Sequence, residues 1–409
     1  MSKNLTKKTI KASSWLFSHT AIARAGGLLK TAIIARILTP TQFGVFGIAS
    51  LSLGLLETFS ETSIDQALIQ KKDLSEKDLT TAWYISILRG FAISLILFLS
   101  APLISSFFKD DSASMYIKAI ALAPLIRNFA NPKISLLRRK LKFKKEFIMR
   151  TITTFVEVSV GVIVSIYTKS PWGLVASIVS GAISDVIISF IIISPPKISL
   201  PDKRSGKELV SFSSWLWASS IIEYLVSQGD DILVGKILGV RQLGFYQNAF
   251  KIASLPATQV TNIASQVVYP AFSSIQDNKE RLKRAFKKSF ITTSGLALLA
   301  SAAIILFAKP LTLIILGEQW IEIVPALKIL TVYGAIRSVA SVAGPIIKAL
   351  GKPKIITNFA LIRMFVLAAF IYPLTKRYGI EGTSWAVLIS TILPQPYLIF
   401  KVKKLLNEK

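Results

Sequence analysis

Glu57 and Glu61 stand four residues apart in an apolar stretch, so a helix would carry both carboxylates on one face, with Asp65 a further turn along. Carboxylates placed this way can take up a cation, H⁺ or Na⁺, and Glu223 and Asp230 are the matching candidates for coupling or gating in the second half of the chain. Anion chemistry is offered by Arg24, Lys30, Arg89, Arg127, Arg337 and Arg363, each inside or beside an apolar run. A guanidinium binds phosphate through two parallel N–H bonds, so these cations suit the headgroup of an anionic substrate. Arg127 and Arg337 hold equivalent places in an internal repeat, which would set one arginine on each wall of a cavity. Lys30 and Asp230 are related by the same repeat and are expected to face each other as an ion pair between lobes.

Other chemistries find no residues to carry them. There is no cysteine, which excludes disulfides and thiolate metal sites, and the single histidine, His19, offers little for a metal centre or a nucleophilic triad. No Walker A loop, G-x-S-x-G or H-E-x-x-H sequence is present. The expectation is a protein that is not an enzyme, that does not hydrolyse ATP, and that needs no metal or cofactor beyond a coupling ion.

The elements that must position these charges follow from the apolar pattern. The 409 residues are 52% hydrophobic with a mean hydropathy of +0.55. Apolar runs of about twenty residues recur from end to end, and such a run as a helix spans the roughly 30 Å of bilayer hydrocarbon. The spans are predicted at 15–37, 43–66, 80–102, 115–135, 148–168, 172–194, 210–234, 243–268, 290–316, 323–347, 355–374 and 381–400. Only helices satisfy their own backbone in lipid, so the predicted fold is all-α, a polytopic membrane protein of about twelve helices. The net charge of +27 would suit nucleic acid in a soluble chain, but here the basic residues sit between apolar spans and form no groove. They concentrate on alternate loops, such as Arg138 to Lys145 and Lys279 to Lys288, while the intervening loops hold only isolated cations such as Lys109, Lys169 and Lys309. The positive-inside rule then puts both termini in the cytoplasm.

A repeat organises the spans. Ala35-Arg36-Ile37-Leu38 through Phe43-Gly44 aligns with Gly235-Lys236-Ile237-Leu238 through Leu243-Gly244 at an offset of 200. The halves are expected at 1–200 and 201–409, six helices each, entering the membrane from the same side as a parallel repeat.

The stretch Ala35-Arg36-Ile37-Leu38-Thr39-Pro40-Thr41-Gln42-Phe43-Gly44, with Gln66-Ala67-Leu68-Ile69-Gln70-Lys71-Lys72-Asp73-Leu74, resembles the polysaccharide transport family of Wzx-type lipid-linked oligosaccharide flippases. So do Asp230-Asp231-Ile232-Leu233-Val234-Gly235, Tyr269-Pro270-Ala271-Phe272 and Gly317-Glu318-Gln319-Trp320. The family belongs to a superfamily that also holds multidrug/toxin extruders and the lipid II flippase. The resemblance implies two six-helix lobes about a central cavity in the cytoplasmic membrane of a bacterium. It further implies alternating-access transfer of an undecaprenyl-pyrophosphate-linked oligosaccharide, for surface polysaccharides such as lipopolysaccharide O-antigen. The implied partners are that lipid-linked oligosaccharide, membrane lipids and the polysaccharide polymerase machinery, with no nucleic acid. Many members carry two further C-terminal helices, and twelve are read here. The alternative on the same scaffold is a cation-coupled exporter of the multidrug/toxin type, which would favour a more acidic cavity. Short outer loops argue against a glycan polymerase, and a duplicated two-lobe design is more than a passive channel needs.

Overall fold

The computed structural model describes residues 3–60, 64, 68–69, 71, 74–139, 142–197, 199–202, 206, 224–256, 268–275 and 278–407. Every regular element among them is helical. Among the described residues seven helical stretches are long and apolar enough to cross a bilayer, so the chain is an all-helical polytopic membrane protein. The chain forms two compact units, Met1–Gly229 and Asp230–Lys409.

In the first unit the helices are α1 (Lys3–Ile37), α2 (Pro40–Phe59), α3 (Glu76–Phe108), α4 (Ala113–Ile120), α5 (Leu122–Arg127), α6 (Ser135–Arg139), α7 (Phe143–Thr168) and α8 (Trp172–Ile192). The motif Thr39-Pro40-Thr41-Gln42 is the start of α2. Thr39 Oγ1 accepts from the Gln42 amide at 3.3 Å, the Gln42 side chain accepts from the Thr39 amide at 2.9 Å, and Pro40 fills the first position, where no N–H is needed. A second capping box, Ser75 with Asp78, starts α3. The 33 residues of α3 turn Leu88, Phe91, Leu95, Phe98, Leu99 and Leu103 outward, which is the face that lipid must cover. Helices α7 and α8 pack along their length, and α1 packs on α7. Their closeness depends on small residues: a Cβ at Gly181 would collide with the Glu157 carboxylate.

In the second unit residues 230–238 are helical, followed by α9 (Val240–Ala253), α10 (Tyr269–Ser274), α11 (Lys279–Leu306), α12 (Ala308–Ile315), α13 (Val324–Ala340), α14 (Ala343–Ala349), α15 (Lys354–Ile392) and α16 (Gln395–Asn407). Helix α13 is the hub, touching α9, α11 and α15. A core of Phe272, Leu282, Ile346, Ile347, Leu398 and Val402 ties α10, α11, α14 and α16 together. Hydroxyls buried in these helices bond back one turn, as Thr312 does to the Ala308 carbonyl and Thr331 to that of Leu327. Neither hydroxyl is then left bare in an apolar surrounding.

Several predicted spans are finer-grained than the apolar pattern suggested. Span 115–135 is two helices separated at Ala121, three residues before Pro124. Span 290–316 breaks at Phe307, three before Pro310, and span 323–347 breaks at 341–342, just upstream of Pro345. Proline cannot donate to the carbonyl four residues back and its ring crowds that carbonyl, which puts each break on the same side. The basic run Lys279 to Lys288, expected as a loop, forms the opening turns of α11. The reversal between spans 355–374 and 381–400 is a single left-handed residue, Gly379, at φ 60° and ψ −141°. The predicted boundary between halves falls at 200. Asp202 and Tyr224 are held within the first unit, through the Thr81 hydroxyl and the Leu51 carbonyl respectively. Span 210–234 lies mostly outside the described residues.

Candidate functional site

The first unit contains a cavity of about 450 Å³ whose lining includes Arg89, Arg127, Arg138, Arg150, Glu57 and Asp185. These charges are gathered from separate stretches of helix. Glu57 lies near the end of α2, and Arg127 is the last residue of α5, delivered there by the break ahead of Pro124. Asp185 projects from the middle of α8. Arg127 Nη1 lies 3.6 Å from Glu57 Oε1, and its Nε lies 3.8 Å from Asp185 Oδ2. Thr153 Oγ1 donates to Asp185 Oδ1 at 2.7 Å and fixes that carboxylate. Arg127 is therefore flanked by two anions, though its Nε makes no hydrogen bond.

Arg89 reaches from α3 to the end of α2, donating to the Glu57 carbonyl and to Ser60 Oγ, both at 3.2 Å. A guanidinium there satisfies a carbonyl that the helix terminus leaves open. At the far side of the cavity Glu146, only 1% exposed, accepts from Arg138 through Nη2 at 2.7 Å and Nε at 3.0 Å, and from Arg150 Nε at 2.9 Å. Lys30 lies away from this lining, donating to Ser177 Oγ at 2.8 Å, while Ser177 donates to the Glu157 carbonyl. Arg24 is half-buried on α1. Glu61 and Glu223 lie outside the described residues.

The second unit gathers a different set. Arg337, on α13, donates from Nη1 to the Tyr333 hydroxyl at 3.2 Å, and Arg363, on α15, donates from Nη2 to the same oxygen at 3.3 Å. The Arg363 guanidinium also lies over the Tyr333 ring, 5.7 Å from its centroid. Phe250, on α9, holds that ring from another side at 5.8 Å, and Tyr246 packs on Phe250. The Tyr246 hydroxyl donates to Asp230 Oδ2 at 2.7 Å. Asp230 and Asp231 each keep one buried oxygen without a hydrogen bond. Lys30 and Asp230, expected as partners, each bond inside their own unit.

Of the described residues singled out from the sequence, Glu57, Arg89 and Arg127 come together in one group and Asp230, Arg337 and Arg363 in another, while Arg24 and Lys30 join neither. Sequence reasoning passed over Arg138, which reads as part of the basic loop Arg138 to Lys145, Glu146 just after it, Arg150 at the start of the predicted span 148–168, and Tyr333. The signals were there: Glu146 precedes Arg150 by one helical turn, and Tyr333 precedes Arg337 by one. Among the described residues no cluster of histidine and carboxylate side chains suits a metal ion.

Residues 33–325 match a family model described as polysaccharide biosynthesis protein. Over 396 residues the chain is 26% identical to the lipopolysaccharide biosynthesis protein WzxC of Escherichia coli (strain K12), covering 95% of this chain and 80% of that protein. It is 27% identical over 389 residues to an uncharacterized membrane protein in the cps region of Klebsiella pneumoniae, covering 94% and 80%. In fold it is similar to the solved structure of the lipid II flippase MurJ in an inward closed conformation. That match has a TM-score of 0.75 and 17% identity, over 95% of this chain and 87% of that one.

Proposed function

The chain belongs to the polysaccharide biosynthesis protein family, and from that premise we propose that it is a flippase. Its cargo is an undecaprenyl-pyrophosphate-linked oligosaccharide, moved across the cytoplasmic membrane for surface polysaccharide assembly by alternating access of two lobes. The observation that carries this reading is a surplus of guanidiniums among apolar helices: in the first unit Arg89, Arg127, Arg138 and Arg150 face Glu57, Asp185 and the buried Glu146, and in the second Arg337 and Arg363 share a tyrosine hydroxyl with no carboxylate ion pair among the described residues. Such a surplus favours an anionic headgroup and disfavours the cationic molecules that a multidrug/toxin-type exporter would move. The relatives' names, a lipopolysaccharide biosynthesis protein and a lipid II flippase, support the same cargo class.

In this proposal the protein is a carrier and not an enzyme, both termini are cytoplasmic, and the polymerase that extends the glycan acts on what it delivers. Glu57, Glu61, Glu223 and Asp230 are the carboxylates proposed to couple transport to H⁺ or Na⁺, and Arg24, Lys30, Arg89, Arg127, Arg337 and Arg363 the cavity cations proposed to attract the headgroup, only some of them by direct contact. Reconstitution tests it. Vesicles holding the chain and a fluorescently labelled undecaprenyl-pyrophosphate glycan should expose inner-leaflet label to an external quencher faster than protein-free vesicles. Equal rates in the two preparations would overturn the proposal.

A further inference from the structure

We propose that the substrate's phosphate groups are seated in the second unit, on a clasp formed by Arg337, Arg363 and Tyr333, and that Arg127, its sequence counterpart, is not the seat. The inference rests on the flippase reading and adds the location of the headgroup to it.

A phenol oxygen has two lone pairs and one proton. At Tyr333 both lone pairs face guanidinium N–H groups, from Arg337 and Arg363. The hydroxyl's own proton is what it has left to give. Arg363 Nε is buried and has no hydrogen-bond partner. Guanidinium groups carry only donors. The clasp therefore offers N–H and O–H donors around a double positive charge, and neither arginine forms an ion pair with a carboxylate among the described residues. Asp230 lies within electrostatic reach of Arg363, yet its hydrogen bond goes to the Tyr246 hydroxyl. A group that completes such a site is an acceptor with negative charge and several oxygens, which is the chemistry of a phosphate or pyrophosphate. Arg337 is exposed and open to such a group, while the buried Arg363 Nε lacks an acceptor, so the seat gains from a ligand of this kind.

The geometry is fixed by apolar neighbours. Tyr333 is 2% exposed, wedged between Phe250 and the Arg363 guanidinium, so its hydroxyl cannot swing away. Arg337 and Tyr333 share one face of α13, one turn apart, while Arg363 comes from α15. Arg127 differs in kind: it already has Glu57 and Asp185 within 4 Å, and an incoming anion would meet their charge as well as its own.

The test uses the full chain in detergent micelles and titration calorimetry with two probes, inorganic pyrophosphate and farnesyl pyrophosphate. Wild type should bind both, more tightly where the prenyl chain adds apolar contact. Equal affinities would place recognition wholly in the phosphates, a preference for the prenyl probe in phosphates and lipid together. Both outcomes support the clasp provided the variants behave as follows. Arg337→Gln and Arg363→Gln should each weaken pyrophosphate binding at least about tenfold, as expected for a lost charge-assisted hydrogen bond. Tyr333→Phe should weaken it by a few-fold, and Arg127→Gln by less than about twofold. Arg337→Lys keeps the charge but loses the planar fork, and serves if a glutamine variant fails to fold; it should still bind several-fold more weakly. Wild type that fails to bind pyrophosphate, or Arg127→Gln as damaging as Arg337→Gln, overturns the clasp. Vesicles that still move labelled lipid in that case leave the flippase reading standing.

Discussion

Arg127 and Arg337, paired by the repeat expected from the sequence, lie in different electrostatic surroundings. Arg127 ends a short helix between Glu57 and Asp185, with Thr153 holding the second carboxylate in place. Arg337 sits one turn beyond a tyrosine and shares that tyrosine with another arginine. The same contrast runs through the wider sets: in the first unit Glu146 neutralises Arg138 and Arg150 from a buried position, whereas in the second a neutral hydroxyl joins Arg337 to Arg363. A sequence repeat of the kind expected here would fix only the place of a side chain along a helix. What that side chain can bind is decided by neighbours on other helices, and those diverge independently.

The contrast can be broken most sharply at the buried glutamate. Glu146→Ala removes the buried carboxylate that Arg138 and Arg150 share and should cost about 3 kcal/mol, read as a lowered thermal or denaturant midpoint in detergent. Tyr333→Phe removes a neutral acceptor and should cost about 1 kcal/mol. If the two variants lose equal stability, the distinction between a structural and an open set of cations fails. Next in size is a conversion of one site into the other. The double variant Glu57→Gln, Asp185→Asn removes both carboxylate charges within 4 Å of Arg127 and should create a second equivalent of pyrophosphate binding in calorimetry. An unchanged stoichiometry would mean that carboxylates are not what closes Arg127 to anions.

Smaller effects are expected where the repeat opens its helices. Thr39→Ala should cost about 1 kcal/mol through the lost cap of α2. At the matching position Gly239 has φ 87°, so Gly239→Ala should cost roughly 1–2 kcal/mol through backbone strain. Neither should alter pyrophosphate affinity. A shift in affinity from either would show that the helix starts communicate with the charged sites.

Much of the fold was legible because lipid leaves so few options. An apolar run of twenty residues has to be a helix, and Thr39-Pro40-Thr41-Gln42 carries its own start signal in residue types alone. Matching helix starts at Pro40 and Val240 follow from the offset that aligned the two motifs. The charged clusters were harder. Glu57 and Arg127 each stood out as ionisable residues in an apolar span, but nothing in the spacing between residues 57, 127 and 185 says that they meet, because contacts between separate helices leave no periodic trace. Arg138, Glu146 and Arg150 were hidden for the opposite reason: in a stretch already dense with lysine and arginine, one buried carboxylate among many cations looks like an ordinary cytoplasmic loop. Tyr333 was missed since an aromatic in a membrane helix passes for packing until its hydroxyl is seen between two arginines.

The breaks before Pro124, Pro310 and Pro345 carry a mechanical consequence. Each proline withholds one rung from the ladder of its helix, so the carbonyls of Ile120, Leu306 and Ser341 lack their usual amide four residues on. A rod with a missing rung flexes there more cheaply than along its intact lengths, and always at the same spot. Were the chain to bend at Ala121, Arg127 at the far end of α5 would be displaced more than the other residues of that helix.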